Sequence, residues 1–345
     1  MATQRSRRGF LSTIGAGAVM GLAGCTGGSA GSEGGGSSTT TESSDEMTIF
    51  HAGSLAAPFE MIEPEFEQAT GIQVYREAKG SVASTRKITT APHRAADVLG
   101  VSDFRLIRDR VLPEYASWYT IFATNAMTIA YTEDSKYASE FGRDTWYDVI
   151  SRDDVSVAHS DPAVDPNGYR ALMAMQLGAI ELDGQRLYSK EHARTMIENN
   201  IVPAGTESAL ISQLHSGKLD YAWQYQSAGA THDVKTVDLQ KHVDLSVANT
   251  KYATHYAKAS VEAGGTTYVG APIAYGMTVP NTGHNPENGA RWIEYIVGGR
   301  GEELLSDAGF QPVSPAVVPK RTEQAVPSNV MEYASAQQRL GPLEL

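Results

Sequence analysis

The chain of 345 residues has one cysteine, Cys25. A single thiol excludes an internal disulfide and any cysteine-based zinc or iron–sulfur site. Basic residues are also in short supply, with 28 Lys and Arg against 40 Asp and Glu, a formal net charge of −12. So acidic a surface argues against nucleic acid as a partner, because phosphate binding needs a basic face. Catalytic signatures are missing too. Past residue 46 there is no Gly-x-Ser-x-Gly, and nowhere a glycine-rich phosphate loop ending in Lys and Ser/Thr or a His-Glu-x-x-His. The histidines are scattered, and His51, His159 and His232 read as structural or surface residues rather than members of a triad. Asp161, Asp165 and Asn167 lack the spacing and closing glutamate of a calcium loop.

The N-terminus holds what the rest lacks. Arg5-Ser6-Arg7-Arg8-Gly9-Phe10-Leu11 leads through a short Gly- and Ala-rich apolar stretch to Leu22-Ala23-Gly24-Cys25. Paired arginines before a stretch too short to span a bilayer make an export signal over residues 1–25, of the twin-arginine type used by folded proteins. Leu-Ala-Gly-Cys resembles a lipobox, which makes Cys25 the expected lipid anchor. Residues 26–46 are Gly, Ser, Thr and acid, a composition that forms a flexible tether and no core. About 300 residues remain, the upper limit for one hydrophobic core and comfortable for two lobes.

Met47–Ala52 reads as a strand running directly into Gly53-Ser54. Leu55, Phe59, Ile62, Phe66 and Ala69 then recur with the period of an amphipathic helix that Gly71 closes. The unit repeats: a strand from Ile72 to Glu77 reaches Gly80-Ser81 and a second helical segment, and Ala96–Ser102 supplies a third strand. Strands alternating with helices imply a parallel sheet, whose ligands sit outside the carboxyl ends of the strands. Ser54 and Ser81 are therefore expected to converge. Gly-Ser at a helix start offers unpaired N–H groups, the positive end of the helix dipole and a hydroxyl, which suits an oxyanion. The plainer alternative is that each serine is an N-cap. Further on, Asp165-Pro166 opens a helix over Tyr169–Ile180, Thr206 reads as the N-cap of a helix over Glu207–His215, and Leu219–Tyr225 alternates as a strand.

At this point the residues carry a resemblance. His51-Ala52-Gly53-Ser54-Leu55, Arg76-Glu77-Ala78, Gly80-Ser81, Arg86-Lys87-Ile88, Ala96-Asp97-Val98, Asp165-Pro166-x-Gly168-Tyr169-Arg170 and Gly270-Ala271-Pro272-Ile273-x-Tyr275-Gly276 resemble the archaeal branch of the tungstate/molybdate-binding proteins of ABC importers. The resemblance runs from Met47 to about Pro319. It implies an α/β, two-lobed periplasmic-binding-protein-like fold of type II, each lobe a mainly parallel sheet flanked by helices. The expected boundaries are residues 47–126 for the first lobe, 127–273 for the second, and 274–345 for the return to the first lobe and the tail.

It also implies a site. The family closes its lobes on a metal oxyanion held by serine hydroxyls and backbone amides, and archaeal members add two second-lobe carboxylates that bond the metal. Asp165 occupies the first of those positions, and its plainer alternative is a helix cap. The second departs from the pattern, since residues 220–227 read Asp-Tyr-Ala-Trp-Gln-Tyr-Gln-Ser and Gln224 stands where the family carries glutamate. An amide oxygen is a poor donor to a hard high-valent metal. The resemblance therefore predicts an oxyanion held by Ser54, Ser81, Gly168, Ser208, Gln224 and Tyr225, with Asp165 as the metal ligand and octahedral coordination in doubt. Lys79 and Arg170 read as surface or inter-lobe salt-bridge residues. No cofactor is implied beyond the bound tungstate or molybdate. The partners implied are an ABC permease with its ATPase, and the membrane through the lipid anchor only, for a monomer on the outer face of the cell membrane. A sulfate or phosphate binder is the nearest alternative, a tethered extracellular hydrolase the one from another class, and an adhesion lipoprotein a third.

Overall fold

The computed structural model describes residues 45–202 and 206–345. The export signal, Cys25 and nearly all of the tether lie outside the described residues. Structure starts at β1, Glu46–Ala52, which passes through a 3₁₀ turn, Gly53–Leu55, into α1, Ala56–Thr70. The expected apolar stripe of Phe59, Ile62 and Phe66 is buried, and Gly71 ends the helix in the left-handed region at φ 75°. β2, Gln73–Lys79, α2, Ser81–Thr89, and β3, Val98–Val101, follow.

β4, Thr120–Thr124, stays in this first sheet, and β5, Met127–Tyr131, lies in another. The second sheet continues with β6, Val157–Ala158, β7, Asn200–Ile201, β8, Tyr221–Tyr225, and β9, Lys235–Thr236. Its helices are α3, Trp146–Val149, α4, Pro166–Leu177, α5, Lys190–Asn199, and α6, Glu207–His215. A hairpin of β10, Ser260–Ala263, and β11, Thr266–Val269, packs on α4. The chain then rejoins the first sheet with β12, Ala274–Thr278, and completes it with β13, Gln311–Pro319, and β14, Ala334–Gln337.

The seven-stranded sheet has the order β14-β13-β4-β12-β3-β1-β2, and the five-stranded sheet β7-β6-β8-β5-β9. Two lobes, each a sheet with helices, are what the sequence leads one to expect. The strand directions correct one detail, because both sheets are mixed rather than mainly parallel. β2, β1 and β3 run parallel, but β12 lies antiparallel to both β3 and β4, and β5 lies antiparallel to β8 and β9. The cause is the crossing itself: β4, β5 and β12 carry the chain between lobes, and a strand that leaves or re-enters at a sheet's centre is not returned by a βαβ crossover.

Each lobe has an aromatic core. In the first, Phe59 and Phe66 meet the edge of Trp292 at 5.2 and 5.0 Å, and Phe59 also touches His51. In the second, Trp146 and Trp223 cross at 5.7 Å. The two crossings share one anchor. The Met127 N–H donates to the Asp244 carbonyl at 2.7 Å, and the Ile273 N–H to the neighbouring Leu245 carbonyl at 2.9 Å. Leu245 is fully buried and held at φ 58°, a left-handed conformation that costs a branched L-residue roughly 1–2 kcal/mol. Among the described residues, no helix is long and apolar enough to cross a membrane.

Candidate ligand-binding site

Three strand ends lie side by side in the first lobe because β2, β1 and β3 are parallel neighbours. Ser54 follows β1, Ser81 follows β2 and Ser102 follows β3. The Ser81 hydroxyl lies 3.1 Å from that of Ser102 and accepts the Ser102 N–H at 3.0 Å. The Ser54 hydroxyl accepts from the Tyr275 hydroxyl at 3.0 Å. Ser54 and Ser81 thus do converge on one edge, as the parallel-sheet argument requires.

The glycine before each serine is there because the other lobe presses on it. A Cβ on Gly80 would stand 2.3 Å from the Val164 carbonyl oxygen and 2.9 Å from the Asp165 Cβ. One on Gly53 would meet the Ser208 hydroxyl at 3.0 Å and a Glu207 carboxylate oxygen at 3.1 Å. Through the first of these contacts the Val164 carbonyl accepts the N–H groups of Val82 and Ala83 at 3.1 and 3.2 Å, so the second lobe caps the N-terminus of α2. Neither serine side chain caps its helix.

Asp165 caps α4, and does more. One carboxylate oxygen accepts from the Asn167 N–H at 3.2 Å, and the other accepts from the Glu207 N–H at 3.3 Å, joining the first turns of α4 and α6. That second bond replaces the expected Thr206 cap, whose hydroxyl makes no capping bond. Beside Asp165 stands the carboxylate of Glu207, only 2% exposed, which the sequence reading did not single out. Neither of its oxygens has a hydrogen bond of good geometry, and its polar neighbours are Asp165 and the backbone of Ser54. Burial, reinforced by the negative charge of Asp165, pushes the Glu207 carboxyl well above its ordinary value.

Of the other expected residues, Ser54, Ser208, Gln224 and Tyr225 border one small cavity of about 20 Å³ between the lobes, together with Glu207. Gln224 is a support for its neighbour, since its side-chain amide donates to the Glu207 carbonyl at 2.7 Å. Gly168 is corrected as a backbone donor. Its N–H bonds the Asp165 carbonyl at 3.2 Å within the first turn of α4, and a Cβ there would lie 2.1 Å from the Ser160 carbonyl, so packing explains the glycine. Tyr225 accepts from Arg170 at 2.8 Å and reaches the Ser102 hydroxyl at 3.5 Å.

Arg170 is an inter-lobe residue. Fully buried on α4, it donates to the Ser102 carbonyl at 2.9 Å and lies 3.5 Å from the Asp103 carboxylate. Asp103 also takes Arg105 on both oxygens, at 2.9 and 2.7 Å, and the Tyr169 hydroxyl at 2.7 Å. Burial alone would raise the Asp103 carboxyl, but the guanidiniums of Arg105 and Arg170 and the Tyr169 hydroxyl hold it well below the usual carboxylate range. Ser102, Asp103, Glu207 and Tyr275 are thus the residues the sequence reading missed. Ser102 and Asp103 had a signal, the same strand-end position that marked Ser54 and Ser81.

Hydroxyls, strand-end turns and buried carboxylates thus meet where the two lobes face each other. The family model described as bacterial extracellular solute-binding protein matches residues 47–311. The chain belongs to this solute-binding family. A relative in Pyrococcus abyssi, named molybdate/tungstate-binding protein WtpA, is 34% identical over 328 residues, covering 86% of this chain and 91% of its own. The protein of the same name in Thermococcus kodakarensis is 33% identical over 305 residues, 81% and 85% of the two chains. An uncharacterized solute-binding protein of Petrotoga mobilis is 38% identical over 277 residues, covering 78% and 84%. The archaeal relatives match the resemblance drawn from the motifs. Among solved structures, the periplasmic molybdate-binding protein of Azotobacter vinelandii superposes with a TM-score of 0.51 at 14% identity, covering 76% of this chain and 98% of its own. The sulfate-binding protein SubI of Mycobacterium tuberculosis does so at 0.56 and 14%, covering 84% and 90%. The two superpositions establish a shared solute-binding fold.

Proposed function

We propose that this solute-binding protein captures tungstate or molybdate between its lobes and performs no chemistry on it. The observation that carries the reading is the pair of buried carboxylates, Asp165 and Glu207, facing the Gly53–Ser54 and Gly80–Ser81 turns. A plain tetrahedral dianion such as sulfate would be repelled by the Asp165 carboxylate. A bare cation would need more protein donors, and no group of three or more His, Cys, Asp or Glu able to hold a metal ion occurs among the described residues. A metalate suits both constraints, because its metal arrives with its own oxo ligands and has room for two more oxygens. Asp165 and Glu207 would bond the metal, restoring the octahedral set that Gln224 left in doubt. The hydroxyls of Ser54, Ser81 and Tyr225, with the backbone near Ser208, would donate to the oxo groups.

The same reading takes Cys25 as the lipid anchor behind a twin-arginine-type signal. It takes the protein as a monomer on the outer face of the cell membrane that delivers its anion to an ABC permease and ATPase. Ligand binding would favour the closed lobes by differential affinity. Calorimetric titration with tungstate, molybdate and sulfate in high salt tests the reading, alongside Asp165→Ala. Metalate binding that ignores sulfate and collapses in the variant supports it. Comparable sulfate binding, or an indifferent variant, would return Asp165 to the role of helix cap and make the protein a general oxyanion binder.

A further inference from the structure

We propose that Asp103 is a positioning residue that couples closure of the lobes to the placement of Asp165, without touching the ligand. The inference rests on the reading of a ligand-closed cleft. Asp103 belongs to the first lobe, just past β3. Its second-lobe partners, the Tyr169 hydroxyl at 2.7 Å and Arg170 at 3.5 Å, sit on the first turns of α4, the helix that Asp165 caps. What Asp103 holds in place is therefore the helix that presents Asp165.

The cluster is arranged so that each half is provided for when the lobes part. Asp103 keeps a two-pronged pair with Arg105 of its own lobe, and Arg170 keeps the Tyr225 hydroxyl of its own. Closing adds the bonds that cross, namely Tyr169 to Asp103, Arg170 to Asp103, and Arg170 to the Ser102 carbonyl at 2.9 Å. Lobe one grips the far side as well. The Tyr169 ring stacks on Tyr268 of the β10–β11 hairpin at 4.1 Å and 12°. Arg110 donates to the Tyr268 hydroxyl at 3.1 Å, and Arg105 to the Val269 carbonyl at 2.8 Å. The stack joins α4 to the hairpin of its own lobe, and the first lobe reaches that pair twice, through the ion cluster on α4 and through Arg110 and Arg105 on the hairpin.

The test uses Asp103→Asn, which keeps the shape and removes the charge, and Tyr169→Phe, which keeps the stacked ring and removes one hydroxyl. Association and dissociation rates for molybdate are measured by stopped flow, and the radius of gyration by small-angle scattering with and without molybdate. Expected results are a loss of affinity of about 10- to 100-fold for Asp103→Asn, the range of a hydrogen bond to a charged group removed from a buried site. The loss should fall on the dissociation rate, with association unchanged, because the latch acts after encounter. Tyr169→Phe should move the same rate in the same direction by less. A loss carried by slower association, or no change in dissociation in Tyr169→Phe, would overturn the proposal. Should Asp103→Asn not fold, Tyr169→Phe alone decides by the same rates. Should wild-type protein bind no oxyanion, the ligand reading fails by itself, and scattering still judges the latch: ligand-free variants expand relative to wild type, or the proposal falls.

Discussion

The contact at Gly80 allows a sharp test of whether the closed arrangement is the ligand-holding one. Gly80 has φ −58° and ψ 143°, so alanine fits its backbone and any effect of Gly80→Ala must come from the new methyl. That methyl would stand 2.3 Å from the Val164 carbonyl oxygen, a backbone atom that no rotamer change can move. Restoring an ordinary contact requires the Val164–Asp165 turn to retreat by about 1 Å. Retreat breaks the bonds from Val82 and Ala83 to the Val164 carbonyl. At roughly 1 kcal/mol each, the loss is about 2 kcal/mol, or near thirtyfold in affinity, before any misplacement of Asp165. Gly53→Ala probes the other turn. Its methyl would meet the ends of the Ser208 and Glu207 side chains, at 3.0 and 3.1 Å, so it should weaken binding through the Glu207 carboxylate while leaving the Val164 contacts intact. Calorimetry with molybdate measures both, and thermal melting of ligand-free protein checks folding. If Gly80→Ala folds and binds as tightly as wild type, the geometry that brings Asp165 against the second Gly-Ser turn is not the bound one.

Other expectations follow from the same contacts. Glu207→Gln should weaken metalate binding by roughly 100-fold, since it removes a charge-bearing oxygen, whereas Gln224→Ala removes only one hydrogen bond to the Glu207 carbonyl and should cost about tenfold or less. Equal losses would put Gln224 on the ligand. Because burial beside Asp165 raises the Glu207 carboxyl, which must be ionised to bond a metal, binding should release a proton and weaken as pH falls. Calorimetry in buffers of different ionisation enthalpy reads that release, and buffer-independent heats would contradict it. His51 is buried neutral, and burial lowers it to about 4 from an ordinary 6.5. The unfolded chain then takes up the proton first, so stability present above about pH 6.5 is lost as pH falls toward 4, by about 3 kcal/mol. Urea unfolding of His51→Phe should lack that part of the pH dependence, and an unchanged profile would exclude His51 as its source.

The elements with a period could be read from the sequence, and so could the turns with a fixed chemistry. The Phe59, Ile62 and Phe66 stripe marks α1, and Asp165-Pro166 marks the start of α4, because those signals are local. Gly53–Ser54 and Gly80–Ser81 were legible as strand-end turns opening helices, but the reason for the glycines was not, since it lies in a second lobe far along the chain. Glu207 was hidden for a related cause. An acid in the first turn of a helix is ordinary dipole chemistry, and only its contact with Asp165, 42 positions away, makes it a buried carboxylate pair. Strand direction was the other blind spot, because whether β12 enters between β3 and β4 up or down depends on where the chain returns. Gln224 was placed at the site by motif, and what motif could not convey is that its amide serves a neighbour's carbonyl.

The turn at Asp244 and Leu245 binds the two crossings to each other as well as to itself. The Met127 N–H on one crossing and the Ile273 N–H on the other end on consecutive carbonyls of that turn, so any change of backbone angle at the buried, left-handed Leu245 is felt by both connections at once.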